Sequence, residues 1–410
     1  MNGLRQDRAP AGEGPTIAVM FATFGPYHVA RLTAAARTAR LVAIEGSAAS
    51  DEYAWERTHA AGDIRRVTLF NDAPIGRKRS HEVAAKVFAV LTACRPDVVA
   101  VPDWVSAWGL AMLAWAVGNG VPSVVMSESQ EIDHTRASGR EWVKRKVVGA
   151  FSAALVGGRR HVDYLAQLGM ARDRIFTGYD VVDNRHLANG AGQARAAGDE
   201  LRRRLGLPDR YFLASARFVA NKNLARLIDA YAAYRAGAGA DAWGLVLLGD
   251  GVMRGALERR IARLGLGSTI LMPGFVQYDN LPDYYGLAEA FVHVSAVEPW
   301  GLVVNEAAAA GLPLIVSGVC GCAPELVEEE RNGFVVDPCD VRGIAAAMQA
   351  IAGDGCDRAA MGRASIGIVA RWTPEAFTTG LTRAVDVALA RPRRAPGVLD
   401  RMLVTALQRI

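Results

Sequence analysis

The chain has 410 residues, 51% hydrophobic and 22% charged, with a formal net charge of +5. That length holds two or three domains with full cores. The composition excludes a disordered or collagen-like chain, the positive excess is too small to argue for nucleic acid, and no apolar run is long enough to span a bilayer.

The first fifteen residues are polar, carry Arg5, Asp7, Arg8 and Glu13, and lack the apolar stretch of a secretory signal, so a loose arm is expected. Thr16–Phe21 reads as a buried strand. A helix is predicted from about Tyr27 to Ala39, with Val29, Leu32 and Ala36 on one face. Leu41–Ile44, Val67–Phe70, Asp97–Val101, Ser123–Met126 and Ala153–Val156 are further strand candidates, mostly separated by helical patterns. The alternation is that of a doubly wound parallel sheet.

The Ala- and Gly-rich stretch 188–199 interrupts this rhythm and is expected to connect two domains. Strands then resume at Tyr211–Ala216, Gly244–Leu248, Ile270–Met272, Phe291–Val294, Pro313–Val316 and Gly333–Val336. Helices fit at Asn223–Arg235, Arg254–Leu264, Leu302–Ala310 and Val341–Ile351. The expected fold is α/β, with two Rossmann-like doubly wound domains whose strand carboxyl ends face one cleft. The expected divisions are an arm over 1–15, a first domain over 16–185, a linker over 186–206, a second domain over 207–370, a closing helix over 371–390 and a basic tail over 391–410. In the tail, Leu399, Met402, Leu403 and Leu407 recur at helical spacing among arginines. It reads either as a helix packed on the body or as one touching a membrane surface. Arg140, Lys144, Arg145 and Lys146 form a second basic stretch with the same two readings.

Cys94, Cys320, Cys322, Cys339 and Cys356 are odd in number, which suits a reduced, cytoplasmic setting. Cys320 and Cys322 have no second ligand pair nearby, so no metal site is expected.

The segment Glu298-Pro299-Trp300-Gly301-Leu302-Val303-Val304-Asn305-Glu306 carries the chemistry. Two carboxylates flank the start of a predicted helix, whose unpaired N–H groups suit a diphosphate. Gly301 allows close backbone approach. Glu306 sits among apolar residues, where a carboxylate is normally paired or functional, and is positioned to accept hydrogen bonds from ribose hydroxyls.

This segment resembles the E-x7-E motif of glycosyltransferase family 4, a group of retaining GT-B enzymes. Further matches follow in order over roughly residues 205–355. Arg217 and Lys222 are similar to the family's diphosphate-holding pair, and Gly249-Asp250-Gly251 to its G-D-G loop. Pro273-Gly274-Phe275-Val276 resembles the loop bordering the nucleobase, and Gly321, Pro324, Glu325 and Asn332-Gly333 resemble later landmarks. Phe24-Gly25-Pro26-Tyr27-His28 resembles the first glycine-rich loop.

The resemblance implies transfer of a sugar, with retention, from a nucleotide-diphosphate sugar to a saccharide, lipid-linked or small-molecule hydroxyl. A UDP-sugar is the first expectation, with GDP-, ADP- and dTDP-sugars open. It implies a donor site of Gly25, Arg217, Lys222, Gly249, Gly251, Phe275, Val276, Glu298, Trp300, Gly301, Leu302, Val303 and Glu306, with Glu298 near the sugar. It implies no cofactor, and the absence of any Asp-x-Asp tripeptide points to metal independence. Where many family members have a histidine, this chain has Asp103; Asp103 and His28 are candidate catalytic or acceptor groups, and Glu128 and His134 candidate acceptor contacts. A nucleotide-sugar epimerase, a pseudo-glycosyltransferase coupling a cyclitol, a non-catalytic nucleotide-sugar binder and a membrane scaffold are the alternatives. Peripheral contact with the inner membrane face is compatible with the basic segments.

Overall fold

The computed structural model describes residues 14–49, 64–133 and 138–391 and positions 397, 401, 402 and 405. Short runs of Val, Ile, Leu and Ala form two parallel sheets. Such runs bury both faces of a strand, which a parallel sheet flanked by helices requires. The first sheet contains β1 (Thr16–Phe21), β2 (Arg40–Ser47), β3 (Arg65–Phe70), β4 (Val98–Val101), β5 (Ser123–Ser127), β6 (Ala153–Val156) and β7 (Ile175–Thr177), in the order β3-β2-β1-β4-β5-β6-β7. The second contains β8 (Tyr211–Ser215), β9 (Gly244–Leu248), β10 (Ile270–Gly274), β11 (Ala290–His293), β12 (Leu314–Ser317) and β13 (Gly333–Val336), in the order β10-β9-β8-β11-β12-β13. Strand order reverses at β1/β4 and at β8/β11, where doubly wound sheets open a crevice for ligands. The α/β architecture is the expected one. Three-residue β7 is too short to show periodicity.

The stretch expected to connect the two domains lies between β7 and β8 as part of the helix Asn184–Leu205, bent at Gly198. Asp183 caps its start by accepting N–H groups from Arg185 and His186, and left-handed Gly206 ends it. Alanine favours the helix, and the small residues serve packing. A Cβ at Gly190 would lie 2.5 Å from Pro282 Cβ, and one at Gly286 would lie 2.6 Å from the Ala191 oxygen. The glycines let this helix press against the helix Leu281–Leu287.

The helix Pro374–Ala390 is capped by Thr373, with Pro374 in its first turn. It lies against the helix Pro26–Ala35 and against β6 and β7, so the chain returns to the first sheet. One apolar core runs from β1 through Trp300 and Trp372 to β8 and β12. The arm over 1–13, His134 and nearly all of the tail beyond Arg391 lie outside the described residues. Among the described residues no helix is long and apolar enough to cross a membrane.

Candidate functional site

The crevice at the β8/β11 switch point is built by interlocked backbone. Gly249 has φ +120, and a Cβ there would lie 1.9 Å from the Ala216 carbonyl oxygen. Only glycine lets the loop after β9 approach the loop after β8 this closely. The Phe218 N–H donates to the Asp250 oxygen at 2.8 Å, and the Met253 N–H to the Phe218 oxygen at 2.9 Å. Arg217 stands half-buried between these contacts. Asn223, left-handed at φ +58, donates from Nδ2 to the oxygens of Val294 (2.9 Å) and Pro338 (2.8 Å). That anchor sets the preceding turn, Ala220–Lys222, against the loop after β11.

There Lys222 Nζ donates to Glu298 Oε2. The same oxygen faces His293 Nε2 at 2.9 Å and accepts from Ser295 Oγ at 3.1 Å. A carboxylate only accepts, so the His293 nitrogen carries the hydrogen. Burial alone would raise the Glu298 carboxyl, but its hydrogen bonds and electrostatic contacts with His293 and Lys222 prevail and lower it to about 2. Glu298 is therefore ionised throughout the neutral range. Three residues on, Gly301 at φ +108 turns the chain into the helix Leu302–Ala309. The first-turn N–H groups of that helix open beside Glu298.

Glu306 is wholly buried on this helix. The Tyr27 hydroxyl donates to its Oε1 at 2.6 Å and the Tyr285 hydroxyl to its Oε2 at 2.7 Å. Burial raises its carboxyl to about 7 against the pull of both tyrosines. Tyr27 comes from the first domain, so the second carboxylate of the motif is bonded across the cleft. Phe275 and Val276 are half-buried on the loop after β10.

The first-domain candidates divide. Gly25 is buried at the carboxyl end of β1, and its N–H donates to His28 Nδ1 at 3.1 Å. His28 lies against Phe21, with ring centroids 4.3 Å apart, and burial followed by Arg31 lowers it to about 3. It is a neutral residue fastening the start of its helix. Asp103 accepts from the N–H groups of Val105 (2.7 Å) and Ser106 (2.6 Å) and from Ser106 Oγ (2.6 Å). Its two oxygens hold their own loop, as a short acid before a helix commonly does. Glu128 is half-buried and neighbours Asp180, a wholly buried carboxyl after β7 that pairs with Arg31 at 3.8 Å. Burial first, then Glu128, pushes Asp180 well up, with Arg31 opposing.

Sequence reading missed the cross-domain ties. Gln130 Nε2 donates to the oxygens of Glu298 (2.9 Å) and Val319 (3.1 Å). His161 Nδ1 accepts the Gly158 N–H at 3.0 Å, which leaves Nε2 to donate to the Pro299 oxygen at 2.9 Å. Trp300 is buried, donates to Asn305 Oδ1 at 2.8 Å and packs on Trp372 at 4.9 Å between centroids. Its indole also meets the first domain at His161, with ring centroids 5.7 Å apart. The available signal was an isolated polar residue in an apolar strand, His293, and a hydroxyl in the first glycine-rich loop, Tyr27. Among the described residues no three His, Cys, Asp or Glu side chains converge as metal ligands would.

Two doubly wound parallel domains closed on one cleft, with this crevice in the second, define a GT-B fold. The Anabaena protein HepE, solved in complex with UDP and glucose, aligns with a TM-score of 0.69 at 19% identity, covering 91% of this chain and 99% of that one. Sucrose-phosphate synthase from Thermosynechococcus elongatus aligns at 0.71 and 18%, covering 90% and 97%. Residues 199–366 match the family model described as Glycosyl transferases group 1. The alpha-D-kanosaminyltransferase of Streptomyces kanamyceticus is 35% identical over 147 residues, 36% of this chain and 37% of that protein. A Mycobacterium tuberculosis GDP-mannose-dependent alpha-(1-6)-phosphatidylinositol monomannoside mannosyltransferase is 32% identical over 177 residues, 41% of this chain and 45% of that protein. The matched stretches span less than half the length of either relative.

Proposed function

We propose that this chain is a retaining glycosyltransferase that moves a sugar from a nucleotide-diphosphate sugar to a hydroxyl acceptor without a bound metal. The observation that carries the reading is the Lys222–Glu298 pair at the β8/β11 switch point, beside the start of the helix Leu302–Ala309. A diphosphate set on that helix start meets N–H donors, Lys222 and Arg217. The bond from the anomeric carbon to the diphosphate oxygen breaks, and the acceptor oxygen bonds that carbon. The acceptor proton passes to the departing phosphate. Arg217 and Lys222 stabilise the charge that develops there, usually the largest catalytic contribution.

Glu298, ionised, contacts the sugar and donates no proton. Glu306 accepts the ribose hydroxyls in place of Tyr27, and the glycines of the 249–251 loop let the donor backbone approach. Gly25 approaches the diphosphate from the first domain. Glu128 faces the acceptor. The solved neighbour with UDP and glucose and the relatives named as mannosyl- and kanosaminyltransferases support this reading and make UDP and GDP the first nucleotides to try. On the helix Ser138–Gly149, Trp142 (60% exposed) and Val143 stand exposed beside Arg145 and Lys146, which supports a cytoplasmic protein touching an anionic membrane face.

The test is calorimetric titration with UDP, GDP, ADP and dTDP in EDTA, followed by NMR of the anomeric proton in the product. Selective binding of one nucleotide and an α-product from an α-donor are expected. Failure of all four to bind refutes the donor site, and an inverted product refutes retention.

A further inference from the structure

We propose that His293 is a positioning residue for this transfer: it fixes the Glu298 carboxylate while Lys222 leaves it for the diphosphate. The inference rests on the reading of the cleft as a donor site.

His293 closes β11, whose other side chains are Ala290, Phe291 and Val292. It is 4% exposed, and its ring runs nearly parallel to that of Phe291, at 13° with centroids 6.3 Å apart. A leucine fits such a position more cheaply, since a buried imidazole requires a hydrogen-bond partner. The partner here is Glu298 Oε2, with Ser295 Oγ 3.2 Å from the same nitrogen. Three donors, from Lys222, His293 and Ser295, thus converge on one carboxylate oxygen. Among the described residues no group bonds Oε1, which leaves that oxygen for a ligand.

The three donors differ in mobility. Lys222 is a point charge on a flexible stem and also stands where a diphosphate is neutralised. A phosphate anion draws it away from Glu298. His293 and Ser295 are set on or just after a central strand and cannot follow. Once Lys222 moves, Glu298 is a nearly buried carboxylate with two fixed donors. Without His293 only a hydroxyl remains, and the carboxylate turns or takes up a proton instead of presenting Oε1 to the sugar. The neighbouring Cys320 and Cys322 thiols offer no replacement: burial raises both, and neither carries positive charge.

The test compares wild type, His293→Leu and His293→Gln, using whichever nucleotide sugar the wild type turns over. Leucine keeps the volume and removes the donor. The glutamine amide nitrogen reaches roughly the place of Nε2 and restores an N–H. In His293→Leu, kcat should fall on the order of 10- to 100-fold, the range of a lost charge-assisted hydrogen bond, with nucleoside diphosphate affinity unchanged. His293→Gln should recover most of kcat. Wild-type kcat in His293→Leu, or equal losses in the two variants, overturns the proposal. A wild type that binds no nucleoside diphosphate and turns over no nucleotide sugar refutes the donor-site reading itself, and this inference with it.

Discussion

Replacing Glu306 by glutamine should make the protein more stable at pH 8 than at pH 5, relative to wild type. Glu306 is wholly buried, and burial raises its carboxyl from the ordinary 4.5 to about 7. Between those values the folded state holds a proton that the unfolded chain has released, so wild-type stability falls as pH rises through this window. The penalty is about 1 kcal/mol at pH 5 and about 3 kcal/mol at pH 8, where it is complete. Glutamine does not titrate. Its altered bonds to Tyr27 and Tyr285 add a term independent of pH. The variant-minus-wild-type difference should therefore grow by about 2 kcal/mol between pH 5 and pH 8. Urea unfolding of both proteins at the two pH values measures it. A constant difference, or one that shrinks with pH, refutes the assignment of a strained buried carboxyl. In the same samples, UDP should raise the unfolding midpoint of wild type and much less that of the variant, because a ribose loses its acceptor.

Tyr27→Phe removes a bond that would compete with a ribose for Glu306 in the proposed donor site, so nucleotide affinity at pH 8 should rise about 5- to 10-fold, as calorimetry would show; weaker binding contradicts competition for Glu306. Lys222→Ala leaves Glu298 without its cation, and turnover should fall about 10²- to 10³-fold in steady-state assays. Gly249→Ala places a Cβ 1.9 Å from a backbone oxygen at φ +120, and should cost about 3 kcal/mol or more, read from thermal unfolding or loss of soluble protein.

Much of the fold was legible because its signals are local. Runs such as Val98–Val101 and Gly244–Leu248 identify buried strands within a few residues, and the same is true of the helix start after Gly301. The stretch 188–199 was read as a connection but not as a helix, because alanine and glycine carry two messages. They suit a connection between domains, and they equally suit two helices packed closely. The Pro282 and Leu281–Leu287 surface that decides between them lies about ninety positions away in sequence. Asp103 was read as a cleft residue from its position after β4; its bonds to Val105 and Ser106, its nearest neighbours, went unread although they are local.

The two glutamates of the motif show where local reading ends. They are the same residue type, eight positions apart, at one helix start. Their acidities separate to about 2 and about 7. Both are buried, so burial alone does not divide them. Glu298 has a cation from 76 positions upstream and an imidazole from the strand just before it, whereas Glu306 has only neutral hydroxyls, one from 279 positions upstream. Environment thus splits one motif into a permanent anion and a group that titrates near neutrality. Glu298 stays ionised across the neutral range, which suits the sugar contact we propose for it. In the donor site we propose, a ribose takes the place of the Tyr27 hydroxyl on Glu306, so nucleotide entry should couple to release of the first domain's tyrosine and, near neutrality, to the protonation of Glu306.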